Sequence, residues 1–146
     1  MIILRPATAA DQDRIKAIIK EADINPMNLK WPNFLLAVDD ATGEVVATGQ
    51  IKTHGDGSQE LASIATIPAY QKRGIATRII TALLAKDLHP LYLTCIGKMA
   101  PFYQPFGFRV LTAAEYPPYF KRLRVVARVV QAFAREDWQF TVMKRD

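Results

Sequence analysis

Residues 71–77 read Gln71-Lys72-Arg73-Gly74-Ile75-Ala76-Thr77, placing small residues and positive charge where a strand gives way to a helix. The first N–H groups of a helix have no partner inside it and sit at the positive end of its dipole, so backbone alone can hold a phosphate there. Gly74 allows close approach or an unusual dihedral, Ala76 keeps the helix entrance uncrowded, and Lys72, Arg73 and Arg78 add charge. Taken alone, a Gly-x-Ala run is equally a plain helix start. The glycine spacing lacks the full dinucleotide fingerprint, and no Gly-Lys-Ser or Gly-Lys-Thr follows, which argues against Rossmann and Walker-type phosphate chemistry.

Few other residues have chemistry of their own. Cys95 is the one cysteine, so the chain holds neither an internal disulfide framework nor a metal site built from several cysteines. A thiol can be a nucleophile, but a position at the end of an apolar strand reads as structural. His54 lies at a strand end or turn; imidazoles titrate nearest neutrality, yet turn histidines are usually surface residues. His89, beside Pro90, has less to recommend it. Glu60 opens a central strand, where a carboxylate is either a base or part of a wet rim. Tyr103 stands between Phe102 and Phe106 and reads from composition as packing.

The 146 residues are half hydrophobic and 23% charged, enough for one sizeable core and little more, so a single domain over residues 1–146 is expected. Polar residues interrupt every apolar stretch, so no membrane span is expected. The opening run lacks a secretory pattern, giving a cytoplasmic expectation. The net charge of +5 is uneven: residues 1–108 carry 11 Lys or Arg against 10 Asp or Glu, and residues 109–146 carry eight against four. This is an ordinary solubility charge with some pull on acidic partners. Nucleic-acid binding is not expected, because aromatic and basic residues do not interleave as a stacking platform requires.

The elements that must position these residues follow from periodicity. Ile2 to Arg5 is a short strand stopped by Pro6. Thr8 and Asp11 resemble a capping pair, and Ile15, Ile18, Ile19 and Ala22 recur at helical spacing over 9–22. Residues 34–38 and 45–51 form an antiparallel hairpin; Gly55 to Ser58 turns the chain into a central strand over 60–66. A helix follows Gly74 with Ile75, Ile79, Ile80, Leu83 and Leu84 inward, and Leu91 to Thr94 completes a β–α–β crossover. Gly97 to Gln104 suggests a short helix and Phe106 to Leu111 an extended segment. Tyr119, Leu123, Val126, Val130 and Phe133 mark the apolar face of a late helix, and Trp138, Phe140 and Val142 a final strand. The sum is a mixed sheet of about seven short strands flanked by helices, α/β or α+β by convention.

Thr66-Ile67-Pro68-Ala69-Tyr70-Gln71-Lys72-Arg73-Gly74-Ile75-Ala76, followed by Phe102-Tyr103-Gln104-Pro105-Phe106-Gly107-Phe108, resembles the GCN5-related N-acetyltransferase (GNAT) superfamily. The opening Ile3-Leu4-Arg5-Pro6-Ala7-Thr8 with Asp11 is similar to its common N-terminus. The resemblance implies a mostly antiparallel seven-stranded sheet with splayed central parallel strands, and acetyl-CoA as acyl donor. Gln71, Lys72, Arg73, Gly74, Ile75, Ala76 and Thr77 would then hold the pyrophosphate, and Ile64, Ala65 and Thr66 would meet the pantetheine and the developing oxyanion. Ala76 stands where Gly is common, and Ile96 near a frequent Asn.

The same resemblance makes Tyr103 the candidate to protonate the departing thiolate, and Glu60 the candidate base, acting directly or through water; His54 and solvent remain alternatives. Trp31, Tyr116 and Tyr119 are candidates for an apolar wall of the acceptor site, and packing alone explains each equally well. Lys121, Arg124, Arg128 and Arg135 share the solvated face of the late helix. The implied activity is direct acetyl transfer to a primary amine of a small molecule or peptide; an acyl-CoA-binding regulatory or interaction module is the alternative. The late helix and final strand are compatible with a monomer or a homodimer.

Overall fold

The computed structural model describes residues 1–131 and 139–146. Its strands are β1 (Ile2–Pro6), β2 (Phe34–Asp39), β3 (Glu44–Thr53), β4 (Gln59–Thr66), β5 (Leu91–Ile96), β6 (Arg109–Val110) and β7 (Phe140–Arg145). Its α-helices are α1 (Gln12–Ala22), α2 (Ile75–Leu84), α3 (Ala100–Tyr103) and α4 (Pro118–Gln131). The strands form a mixed, mostly antiparallel seven-stranded sheet in the order β1-β2-β3-β4-β5-β7-β6, the architecture the sequence implies. The parallel step joins β4 to β5, with Glu60 opposite Tyr92. Among the described residues no helix is long and apolar enough to cross a membrane.

The chain resolves into two compact units, the first made of residues 1–52 and 61–87 and the second of 53–60 and 88–146. In the first, the helical spacing of Ile15, Ile18 and Ile19 turns all three into a cluster with Phe34, Leu36 and Val38. Ala22, expected on that stripe, is exposed, because Asp23 turns left-handed and ends the helix. The capping pair is real: the Thr8 N–H donates to Asp11 at 2.7 Å. Arg5 bonds the same carboxylate at 2.8 and 3.0 Å and holds it down to about 2. Asp, though shorter than Glu, suffices because the first turn is 3-10, which is tighter.

β3 carries a bulge. Between the register pairs Ala37–Ala47 and Val38–Val45, β2 advances one residue and β3 two, so Val46 is the extra residue and the side-chain alternation shifts phase there. Past it, Gly49 lies against α2, where a Cβ would come within 2.5 Å of Ile79 and 2.9 Å of Ile64. Only glycine admits that approach of helix and strand.

The second unit is built on β5, β7 and the last helix. β5 pairs with β7 from Leu91–Arg145 through Ile96–Phe140. The apolar face of α4 differs from the expectation: Phe120 and Ala127 are buried, while Val126 is 59% exposed. Phe120 joins Tyr92, Tyr116 and Val142 in a cluster. The extended segment expected over 106–111 shortens to Arg109–Val110, because Gln104–Phe106 is a 3-10 turn closed by Gly107 at φ +94°. Residues 133, 135 and 138, assigned to the late helix and final strand from sequence, lie outside the described residues, as does the side chain of Val130.

Candidate functional site

In the first unit, the turn from β4 to α2 has the backbone its sequence anticipates. Lys72 has φ +63° and Gly74 φ +75°, both left-handed; successive N–H groups around such residues form anion-binding concavities. A Cβ at Gly74 would meet nothing within 4 Å, so glycine serves the dihedral rather than space. The first bond of α2 runs from Arg78 N to Gly74 O at 3.1 Å, leaving the N–H groups of Ile75, Ala76 and Thr77 ahead of the helix ladder. Residues 71–74 are exposed.

Its charges are anchored. The Arg73 guanidinium sits 4.9 Å above the Tyr70 ring, and Tyr70 donates its hydroxyl to Asp39 at 2.7 Å. Arg78 reaches back to the Ile2 carbonyl at 2.9 Å. The Gln71 amide donates to the Thr66 carbonyl at 3.0 Å, tying the turn to the end of β4. Ile64, Ala65, Thr66 and Gln71 line one cleft of about 270 Å³ with Ile18 and Glu21 of α1. Upstream, Ser63 takes φ +58° within the strand, a left-handed residue next to Ile64 of that cleft.

In the second unit, Glu60 and His54 meet across the turn 55–58. Glu60 is 3% exposed and His54 8%, so neither the wet rim nor the surface histidine suggested by sequence is realised. His54 Nε2 lies 2.7 Å from Glu60 Oε1, and Thr94 Oγ1 donates to Glu60 Oε2 at 3.5 Å. The imidazole stacks on Tyr119, with centroids 3.5 Å apart and planes 10° from parallel. The Tyr119 hydroxyl is buried without a hydrogen-bond partner among the described residues. Burial first, then the Glu60 and Asp56 charges, raise its pKa.

Tyr119 is fixed by its own backbone. Pro117 and Pro118 offer no N–H, so the first donor of α4 is the Tyr119 amide, and it bonds Asp56 at 2.9 Å. Asp56 also accepts from the Ser58 backbone and hydroxyl at 2.9 and 2.6 Å. Burial opposes its ionisation, but these bonds prevail and bring it to about 2. A carboxylate from a distant turn thus replaces the cap that Pro117 cannot supply.

Tyr103, in the same unit, meets Phe102 and Phe108 edge-on. Burial, then the Cys95 sulfur, push its phenol up to about 12, so it stays protonated and able to donate. Cys95 is half-buried and raised by burial to about 11, which withholds the thiolate a nucleophile needs.

Of the proposed acceptor wall, Trp31 packs against the apolar cluster of the first unit. Tyr116 is 9% exposed within the apolar cluster of the second. Sequence reasoning passed over Gln50, Thr48, Ser63, Asp56 and Thr94. The available signal lay in the polar residues alternating through β3 and in the Pro-Pro pair awaiting an outside cap. Among the described residues no group of three or more His, Cys, Asp or Glu could hold a metal ion.

The family model for the acetyltransferase (GNAT) domain matches residues 30–110. No curated protein sequence gives a significant match. N-acetylglutamate synthase from Neisseria gonorrhoeae, complexed with coenzyme A and N-acetyl-glutamate, superposes with a TM-score of 0.74 at 16% identity, over 99% of this chain and 35% of that one. This chain therefore spans about a third of that synthase. Rv2747 from Mycobacterium tuberculosis in complex with CoA gives 0.71 at 19% identity over 97% of both chains. Escherichia coli ElaA gives 0.68 at 18% over 100% of both. At these identities the likeness is one of fold.

Proposed function

Since the chain belongs to the acetyltransferase (GNAT) domain family, we propose that it moves an acetyl group from acetyl-CoA to a primary amine by direct attack. The observation that carries this reading is the turn into α2, where left-handed Lys72 and Gly74 precede a helix whose first N–H groups are outside its ladder. Such a turn suits a pyrophosphate. The adjoining cleft along Ile64, Ala65 and Thr66 suits the uncharged arm that follows it.

The transfer forms a C–N bond and breaks a C–S bond. A neutral amine attacks the thioester carbon, and a backbone N–H at Ile64 or Ala65 steadies the charge that builds on the carbonyl oxygen. The proton shed by the amine passes to Glu60, and His54 at 2.7 Å offers it an onward route. Tyr103, protonated to about 12, gives its proton to the departing thiolate. Tyr103 keeps the protonation state its step requires, and the direct attack needs no covalent enzyme intermediate.

Calorimetric titration with CoA, then thiol release from acetyl-CoA over a panel of primary amines, tests this directly. Binding with amine-dependent thiol release is the expected result. CoA binding without transfer to any amine would make the chain an acyl-CoA-binding module, and no CoA binding would end both readings.

A further inference from the structure

His54 meets Glu60 through Nε2 to Oε1 at 2.7 Å. The last torsion of a histidine side chain has broad minima, so one such bond does not fix the plane of the ring. Two rings from the start of α4 do. Tyr119 covers a face of the imidazole with centroids 3.5 Å apart and planes 10° from parallel, which is van der Waals contact and leaves no layer for water. Phe120 meets the imidazole edge-on at 5.9 Å and 88°, and the Tyr119 and Phe120 rings stand at 88° to each other. The imidazole lies in a corner of two aromatic planes, its side chain 4% exposed.

Aromatic pairs left to themselves favour offset or edge-on contact over a face-to-face stack. The face-on contact is accordingly set by what anchors each ring. Glu60 anchors the imidazole, and the bond from the Tyr119 amide to Asp56 at 2.9 Å anchors the phenol. Asp56 belongs to the turn that begins at His54, where the His54 amide donates to the Ser58 carbonyl and the Gly57 amide to the His54 carbonyl, both at 2.9 Å. The turn therefore holds His54 twice, by its backbone directly and by its ring through α4. The Tyr119 hydroxyl is buried with no hydrogen-bond partner among the described residues, so the ring is what His54 meets.

We propose that Tyr119 is a positioning residue for proton removal: its ring holds the His54 imidazole on Glu60, so that the proton taken from the amine has a route onward. This deepens the acetyltransferase reading and rests on it. The role differs from the acceptor wall expected of Tyr119 from sequence, which would act on amine binding instead.

The two roles part in a kcat-against-KM split. Thiol release from acetyl-CoA is measured with glycinamide, ethanolamine and putrescine, and thermal unfolding reports the fold of each variant. Tyr119→Leu should lower kcat about tenfold, as His54→Gln does, with the KM for the amine unchanged. Tyr119→Phe, which keeps the ring, should rescue kcat to within about twofold of wild type. In a His54→Gln background, Tyr119→Leu should cost nothing further, because the ring it removes acts through His54. Asp56→Ala, which releases the Tyr119 amide, should likewise lower kcat in the wild type and not in the His54→Gln background.

A loss carried by KM would return Tyr119 to the acceptor wall. Additive losses with His54→Gln, equal losses in Tyr119→Phe and Tyr119→Leu, or full activity in a folded Tyr119→Leu would each overturn the proposal. Should Tyr119→Leu not fold, the Asp56→Ala pair decides alone, and an equal effect in both backgrounds overturns it. A wild type that releases thiol with none of the three amines fails the acetyltransferase reading, whereas one that turns them over without this pattern fails only the role of Tyr119.

Discussion

Glu60 Oε1 lies 2.7 Å from His54 Nε2, with the two side chains 3% and 4% exposed. A carboxylate and an imidazole this close are hydrogen-bonded, and the contact spans the turn 55–58. If Glu60 is the base, Glu60→Gln keeps the shape and removes the acceptor. It should lower kcat by about 10²–10⁴ while the CoA dissociation constant measured by calorimetry stays within about twofold. His54→Gln, which removes only the onward route, should lose about tenfold. A Glu60→Gln enzyme with kcat close to wild type would assign deprotonation to solvent.

Tyr103 is raised from an ordinary 10.0 to about 12, by burial first and then by Cys95. A raised folded pKa favours the protonated phenol, so its contribution to stability is complete below pH 10 and is lost as the pH climbs through 12. Alkaline titration of tyrosinate absorbance should show a component near pH 12 that disappears in Tyr103→Phe. The same variant should retain CoA binding and lose roughly 10- to 100-fold in kcat. Undiminished turnover would return Tyr103 to a packing role beside Phe102 and Phe108.

Much of this arrangement was legible in residue spacing because it is local. Ile15, Ile18 and Ile19 announce their face, and Gly74 announces a turn its own φ requires. The His54–Glu60 pair was hidden, since it depends on the Gly55–Ser58 turn folding one strand end back onto the next. The phase of α4 misled because Tyr119, Leu123 and Val126 repeat as well as Phe120, Leu123 and Ala127 do. The choice was made by contacts far along the chain: the Tyr119 ring stacks on His54 and its amide bonds Asp56. Gln50 escaped notice because a polar residue within a strand reads as solvent-facing, and its burial involves the 25–28 loop, which carries no periodic signal.

Gly74 separates dihedral from volume. Alanine there would touch nothing within 4 Å, so the effect of Gly74→Ala must come from holding φ at +75°, which costs an L-residue about 1–2 kcal/mol. Gly74→Asn, whose side chain tolerates the left-handed region, should cost less. CoA affinity by calorimetry should therefore fall in the order Gly, Asn, Ala. Equal affinity for all three would mean that the turn does not grip the cofactor through its backbone.

Asp56 caps a helix to which it does not belong, so its loss should be felt at Tyr119. Asp56→Ala removes the acceptor for the first N–H of α4 and should cost about 1 kcal/mol, whereas Asp56→Asn keeps a capping oxygen and should cost a fraction of that. Because hydrogen bonding holds the carboxyl at about 2 against an ordinary 3.8, the ionised cap stabilises the fold fully above pH 4. It is lost as the pH falls through 2. Denaturant melts of wild type and Asp56→Ala should therefore differ most above pH 4 and converge toward pH 2. A difference that did not change over that range would mean that the carboxylate's charge contributes nothing to the cap.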